Sequence, residues 1–133
     1  MGDGTLNENS CALLARVTGV DLDAVAATTL YTVPTGKKLV VHYLVIRDLS
    51  ADAASAVATF GKVGALTDFL GAQTLSNLNA AAAAGILMPV PNATTVKLIE
   101  YVATNIFQID VTTASGGGAC TCTIEVFGTL KDA

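Results

Sequence analysis

The stretch LVVHYLVIRDL, residues 39–49, is the strongest strand signal in the chain. Because side chains alternate along a strand, two largely apolar sets are predicted to face opposite ways. One set is Val40, His42, Leu44 and Ile46, and the other is Leu39, Val41, Tyr43 and Val45. An antiparallel strand with one solvated face alternates between apolar and polar residues instead. We therefore expect both faces to be covered, the second by a neighbouring subunit or by a loop of the same chain.

Alternating patterns and turn residues predict further short strands on both sides of this one. They span residues 11–17, 28–33, 55–63, 66–70, 86–90, 96–102, 106–113 and 120–127. Residues 19–27 are predicted to form a loop, as are residues 75–85 with at most one helical turn. Strands 96–102 and 106–113 are predicted to pair, and residues 115–118 to form a hairpin tip. About eight short strands at this spacing predict an all-β fold, a single antiparallel β-sandwich or jelly roll.

The composition predicts one domain that hides part of its surface. The chain has 133 residues, of which 52% are hydrophobic and 14% charged. The charged share is low beside the roughly 25% of ordinary globular proteins. We therefore expect a homo-oligomer, although loop surfaces rich in Thr, Asn and Ser would also account for the deficit. Residues 1–10 are predicted to be a flexible polar arm, and residues 11–133 the β-sandwich domain.

Charge and hydropathy argue against two classes of partner. The net charge is −4 and the seven basic residues are scattered, so no basic stripe for nucleic acid is visible. The longest uncharged stretch, residues 69–96, carries several amides and two prolines, so we expect no membrane span. The first ten residues do not resemble a secretory signal, and three cysteines predict reduced thiols after synthesis in the cytoplasm.

The residues that carry chemistry in other proteins do not form a recognisable site here. His42 is the single histidine and lies within the most apolar strand, where a packed side chain is expected rather than a catalytic base. Cys120 and Cys122 are predicted to be small buried hydrophobes, and Asp21 and Asp23 to be solvated loop charges. We therefore predict no catalytic residue, no metal site and no cofactor, and no enzymatic activity.

The segment TLYTVPTGK, residues 29–37, followed by the apolar strand, resembles small structural proteins of tailed bacteriophages. The likeness extends loosely to IEVFG, residues 124–128. Capsid decoration (cement) proteins are the most similar of these in size and simplicity. The resemblance implies a jelly-roll-like domain that assembles as a trimer and binds the major capsid protein on the exterior of the virion.

The predicted interface combines the arm with the two-faced strand. Its candidate residues are Leu6, Asn7, Leu39, Val41, Tyr43 and Val45. A receptor- or carbohydrate-binding head of a tail fibre or baseplate is an alternative, with Tyr31, Tyr43 and Tyr101 as the candidate stacking residues. Another neck or tail component is a further alternative, since such components also assemble as oligomers.

Overall fold

A computed structural model describes residues 11–80, 84–89 and 98–133 of the chain, and these residues form strands and loops. The strands are β1 (Ala12–Asp21), β2 (Ala27–Thr32), β3 (Lys37–Arg47), β4 (Val57–Lys62), β5 (Ala65–Thr74), β6 (Ala84–Leu87), β7 (Glu100–Tyr101), β8 (Ile106–Thr113) and β9 (Thr121–Asp132). The predicted arm lies outside the described residues. The described part of the chain contains no helix that could cross a membrane.

Two antiparallel sheets pack face to face. The first sheet has the order β1-β9-β3-β6, with β7 beside β6 on the same edge of β3, and the second has the order β2-β8-β4-β5. If the two-residue β7 is set aside, the first strand pairs with the last, the second with the second-last, the third with β6, and β4 with β5. This is the pairing order of a jelly roll. The all-β fold class predicted from the sequence is confirmed.

The core lies between the two sheets. Leu44, Ile46 and Ile124 of the first sheet and Phe60 and Ile109 of the second are fully buried in one apolar cluster. The alternation predicted for residues 106–113 and 120–127 is confirmed, because every second side chain there enters this cluster. The core is therefore built from period-two patterns that are readable in the sequence.

Three local predictions were wrong. β1 continues to Asp21, three residues into the predicted loop 19–27, with a register shift between Val17 and Val20 and a positive φ of 67° at Gly19. β7 pairs with β3 and not with β8. β8 and β9 belong to opposite sheets, so residues 116–118 cross between sheets instead of closing a hairpin. Each error concerns which strand a segment pairs with, which local patterns do not specify.

The predicted alternation of β3 is also wrong, because the strand contains a bulge. Val41 lies opposite Gly128 and Tyr43 opposite Phe127, so His42 is an extra residue in β3. Before the bulge the odd-numbered residues face the core, and after it the even-numbered ones do. Leu39, Val41, Leu44 and Ile46 consequently belong to the core cluster. Tyr43 and Val45 face away from it.

Candidate interaction surface

The side chains considered for chemistry are occupied by structural contacts. His42 Nε2 lies 3.1 Å from Thr129 Oγ1. The Asp23 carboxylate accepts hydrogen bonds from the Ser115 hydroxyl and the Gly116 amide, which fixes the β8–β9 connection. Among the described residues, no group of three or more His, Cys, Asp or Glu side chains is placed to hold a metal ion.

The thiols of Cys120, just before β9, and of Cys122, on the core side of β9, are both buried. Burial raises the pKa of Cys122 to about 12, and it also raises the pKa of Cys120. Because the thiolate is the nucleophile, both groups are poorly reactive at neutral pH. The prediction that they behave as small hydrophobes is confirmed by this burial.

The face of the first sheet that points away from the second sheet is termed the outer face. On β9 it carries the odd-numbered residues, because Cys122, Ile124 and Val126 enter the core. The strand register then assigns to the same face Leu13, Arg16 and Asp21 of β1, Lys38, Val40, Tyr43, Val45 and Arg47 of β3, Ile86 of β6 and Glu100 of β7. The described strands therefore place a mixed apolar and charged surface here.

An aromatic pair lies near the middle of the outer face. The rings of Tyr43 and Phe127 stack with centroids 4.8 Å apart and an interplanar angle of 12°. Leu13 lies opposite Phe127 and is 43% exposed, and Ile86 lies opposite Val45 and is 63% exposed. Large apolar side chains thus flank the aromatic pair on both sides.

A carboxylate held by two arginines adjoins the aromatic pair. Arg16 Nη2 and Nε lie 2.7 and 2.8 Å from Glu125 Oε2, and Arg47 Nε lies 2.9 Å from Oε1. The Glu125 side chain is 3% exposed, whereas the two arginine side chains are 58% and 44% exposed. Since a guanidinium has five N–H donors, both arginines retain donors directed to solvent. They remain able to bind acceptors on a partner.

The charges of the outer face differ in sign from those of the whole chain. Near its other end, Lys131 Nζ lies 2.5 Å from Glu100 Oε2. The hydrogen bond and charge of Lys131, together with the charge of Lys38, lower the pKa of Glu100. Four of the seven basic residues, including Arg16 and Arg47, face three acidic ones here, namely Asp21, Glu100 and Glu125, which leaves a net charge of +1 on a chain of net charge −4.

Arginine, aromatic and exposed aliphatic side chains occur together on the outer face. This is the composition in which protein–protein binding energy concentrates. Hydrophobic burial supplies affinity in such contacts, and the charges supply orientation. The arrangement is suited to binding a protein surface.

The predicted interface residues do not lie together. Tyr43 and Val45 are on the outer face, Leu39 and Val41 are in the core, and the arm residues Leu6 and Asn7 lie outside the described residues. The interface role itself stays a prediction. The sequence did not indicate four residues of this surface, Arg16, Arg47, Glu125 and Phe127. The outward position of Glu125 follows from alternation in β9, but its two arginine partners come from strands distant in sequence.

The three tyrosines considered for sugar stacking are not brought together. Tyr31 is half-buried on β2 of the second sheet, and Tyr43 is on the outer face of the first. Tyr101 is 1% exposed and donates a hydrogen bond of 2.7 Å to Asp68 Oδ1. No shared aromatic platform is formed by these residues.

A shallow pocket of about 210 Å³ lies where the end of β5 approaches β6. Its lining residues are Gln73, Thr74, Leu75, Asn77, Leu78, Gly85, Ile86 and Leu87. None of these side chains carries a charge, and Thr74 supplies the single hydroxyl. No basic or acidic side chain lies beside it in the lining, and the outer face remains the candidate site.

Fold and surface together define an antiparallel β-sandwich with one face suited to protein contacts. The fold is similar to that of a chain in the solved structure of the cyanophage Pam1 capsid asymmetric unit, with a TM-score of 0.51 and 18% sequence identity. The match covers 86% of this chain and 80% of that chain. At this identity the likeness concerns the fold. No protein-family model and no curated protein matches the sequence.

Proposed function

We propose that the protein is a non-enzymatic structural component of a tailed-phage virion that binds the capsid exterior as a decoration protein. The outer face is the observation that carries the proposal, because it combines a stacked aromatic pair, two exposed aliphatic residues and an Arg–Glu–Arg group. The jelly-roll order, the likeness to a chain of a phage capsid asymmetric unit and the phage-like segment 29–37 support it. The proposed partner is the major capsid protein.

A homo-oligomer, specifically a trimer, is part of the proposal. The charge-poor composition favours a chain that hides surface against other copies. Several linked binding sites also strengthen attachment to a repeating shell, because each further contact forms at high effective concentration. An oligomer therefore holds a capsid more firmly than one copy does.

Co-sedimentation of the full chain with capsid shells that lack it tests the capsid role. We expect the wild type to bind, and Leu13→Asp with Ile86→Asp to weaken binding at least about tenfold, because charge replaces exposed apolar area at the contact. Val63→Asp is the control, since this residue is 54% exposed in the turn between β4 and β5 of the second sheet. A wild type that does not bind shells contradicts the proposal.

A further inference from the structure

We propose that the outer face of one copy binds the acidic loop end of a second copy, so that the oligomer forms by head-to-tail contacts. The loop end comprises loops 22–26, 48–56, 75–80 and 114–120. The inference rests on the proposed oligomeric structural role and names the two surfaces that meet.

The loop end is a joined and acidic surface. Its loops are tied by backbone hydrogen bonds from Ser115 to Leu22, from Ser50 to Thr121 and from Ala53 to Leu78, of 2.9, 2.9 and 3.0 Å. It carries the three carboxylates of Asp23, Asp48 and Asp52, and the four loops contain no Lys or Arg. Its charge of −3 is set against +1 on the outer face.

Each surface also carries exposed apolar residues. Val25 lies on the loop end and is 67% exposed, while Leu13 and Ile86 on the outer face are 43% and 63% exposed. A contact between the two surfaces buries apolar area at its centre and pairs opposite charges around it, which is the usual arrangement of a protein interface. This chain therefore carries both halves of a complementary contact.

Charge also selects the symmetry of the contact. If two outer faces met across a two-fold axis, two surfaces of the same net positive charge would approach each other, and like charges would repel. A head-to-tail contact joins unlike surfaces instead. Repetition of that contact closes into a ring when the rotation permits, and rings of three are allowed.

Neutralising the loop end tests the acidic half of the contact. We expect Asp48→Asn with Asp52→Asn to weaken self-association at least about tenfold in 50 mM salt, with a smaller loss in 500 mM salt because ions screen surface charges. Asn keeps the oxygen that accepts the Ala80 amide at position 52, and it tolerates the φ of 56° at position 48. Asp110→Asn with Asp132→Asn removes the same charge elsewhere and should leave association unchanged.

A charge exchange gives the decisive measurement by analytical ultracentrifugation. Lys38→Glu with Lys131→Glu makes the outer face acidic, and Asp48→Lys with Asp52→Lys reduces the acidity of the loop end. We expect each variant alone to associate less than the wild type, and an equimolar mixture to recover association. Thermal melting checks that each variant is folded. If a charge-reversed variant does not fold, the Asp48→Asn with Asp52→Asn variant provides the test of the contact.

The outcomes separate the two proposals. A monomeric wild type, variants that associate like the wild type, or a mixture that recovers nothing each overturn the head-to-tail contact, even if the protein still binds shells. A wild type that associates as expected but ignores shells overturns the capsid role and leaves the contact intact.

Discussion

Glu125 is a buried carboxylate on the outer face of a sheet, and its charge is balanced by arginines on both neighbouring strands. Removing one partner of such a group leaves an uncompensated charge. We expect Glu125→Gln to lower the free energy of unfolding by about 2 kcal/mol, below the range for fully buried pairs because both arginines are half-exposed. Urea denaturation followed by circular dichroism measures it.

Glu100→Gln is the matched control for that change, because both side chains of the Glu100–Lys131 pair are exposed. Ion pairs between exposed side chains contribute little to stability, so a small effect is expected. If the two variants lose the same free energy of unfolding, Glu125 is not held by the two arginines as described.

Tyr101 links the two sheets, because it lies on β7 and its hydroxyl donates to Asp68 on β5. Burial first, and then the hydrogen bond and charge of Asp68, raise the pKa of Tyr101 above its ordinary value of 10.0. Because the pKa of Tyr101 is higher in the folded than in the unfolded state, its contribution to stability is fully present below pH 10. That contribution is lost as the pH rises above 10. Melting temperatures should therefore fall above pH 10.

Tyr101→Phe provides the comparison for alkaline melting. The variant should start less stable by about 1 kcal/mol, the usual contribution of one hydrogen bond, but should lose less stability between pH 9 and pH 11. If the stability of both proteins falls equally between pH 9 and pH 11, Tyr101 is excluded as the group responsible for the alkaline loss.

The three thiols differ in access. Cys11 is exposed, whereas Cys120 and Cys122 are buried with raised pKa values. We expect an aromatic disulfide reagent to modify one thiol quickly at pH 7.5 and the other two only as the protein unfolds. Cys11→Ser should remove the fast phase, and its persistence in that variant would contradict the burial of β9.

At the scale of elements, the bulge in β3 determines what the outer face presents. It turns Tyr43 outward to meet Phe127, and it leaves Gly128 opposite Val41. A Cβ at position 128 would collide with the Val40 carbonyl oxygen and lie 3.1 Å from Val41 Cα. Backbone atoms cannot yield as a side chain can, so glycine is required at this position.

We expect Gly128→Ala to destabilise the protein by about 2 kcal/mol, within the usual range for overpacking. Gly71→Ala is the control, because nothing lies within 4 Å of the added Cβ there. Thermal unfolding compares the two. If both variants melt alike, the close approach of β9 to β3 is not as tight as described.

At the scale of the whole molecule, the fold class was predictable and the pairing of strands was not. Alternation along residues 106–113 and 120–127 correctly placed side chains such as Phe107 and Ile124 in the core. No local signal records that β9 lies between β1 and β3, or that an extra residue in β3 exchanges its faces. Arg16, Arg47 and Glu125 are 31 to 109 positions apart in sequence. The candidate site therefore became visible only once the strands were assembled.

The central place of β9 has a consequence for synthesis on the ribosome. β9 joins β1 to β3, yet it is translated after both of them and after all of the second sheet. The first sheet therefore cannot be completed until residues 121–132 have left the exit tunnel. A force-sensitive arrest peptide placed at increasing distances downstream should report folding only after Asp132 has emerged, and earlier release would contradict this order.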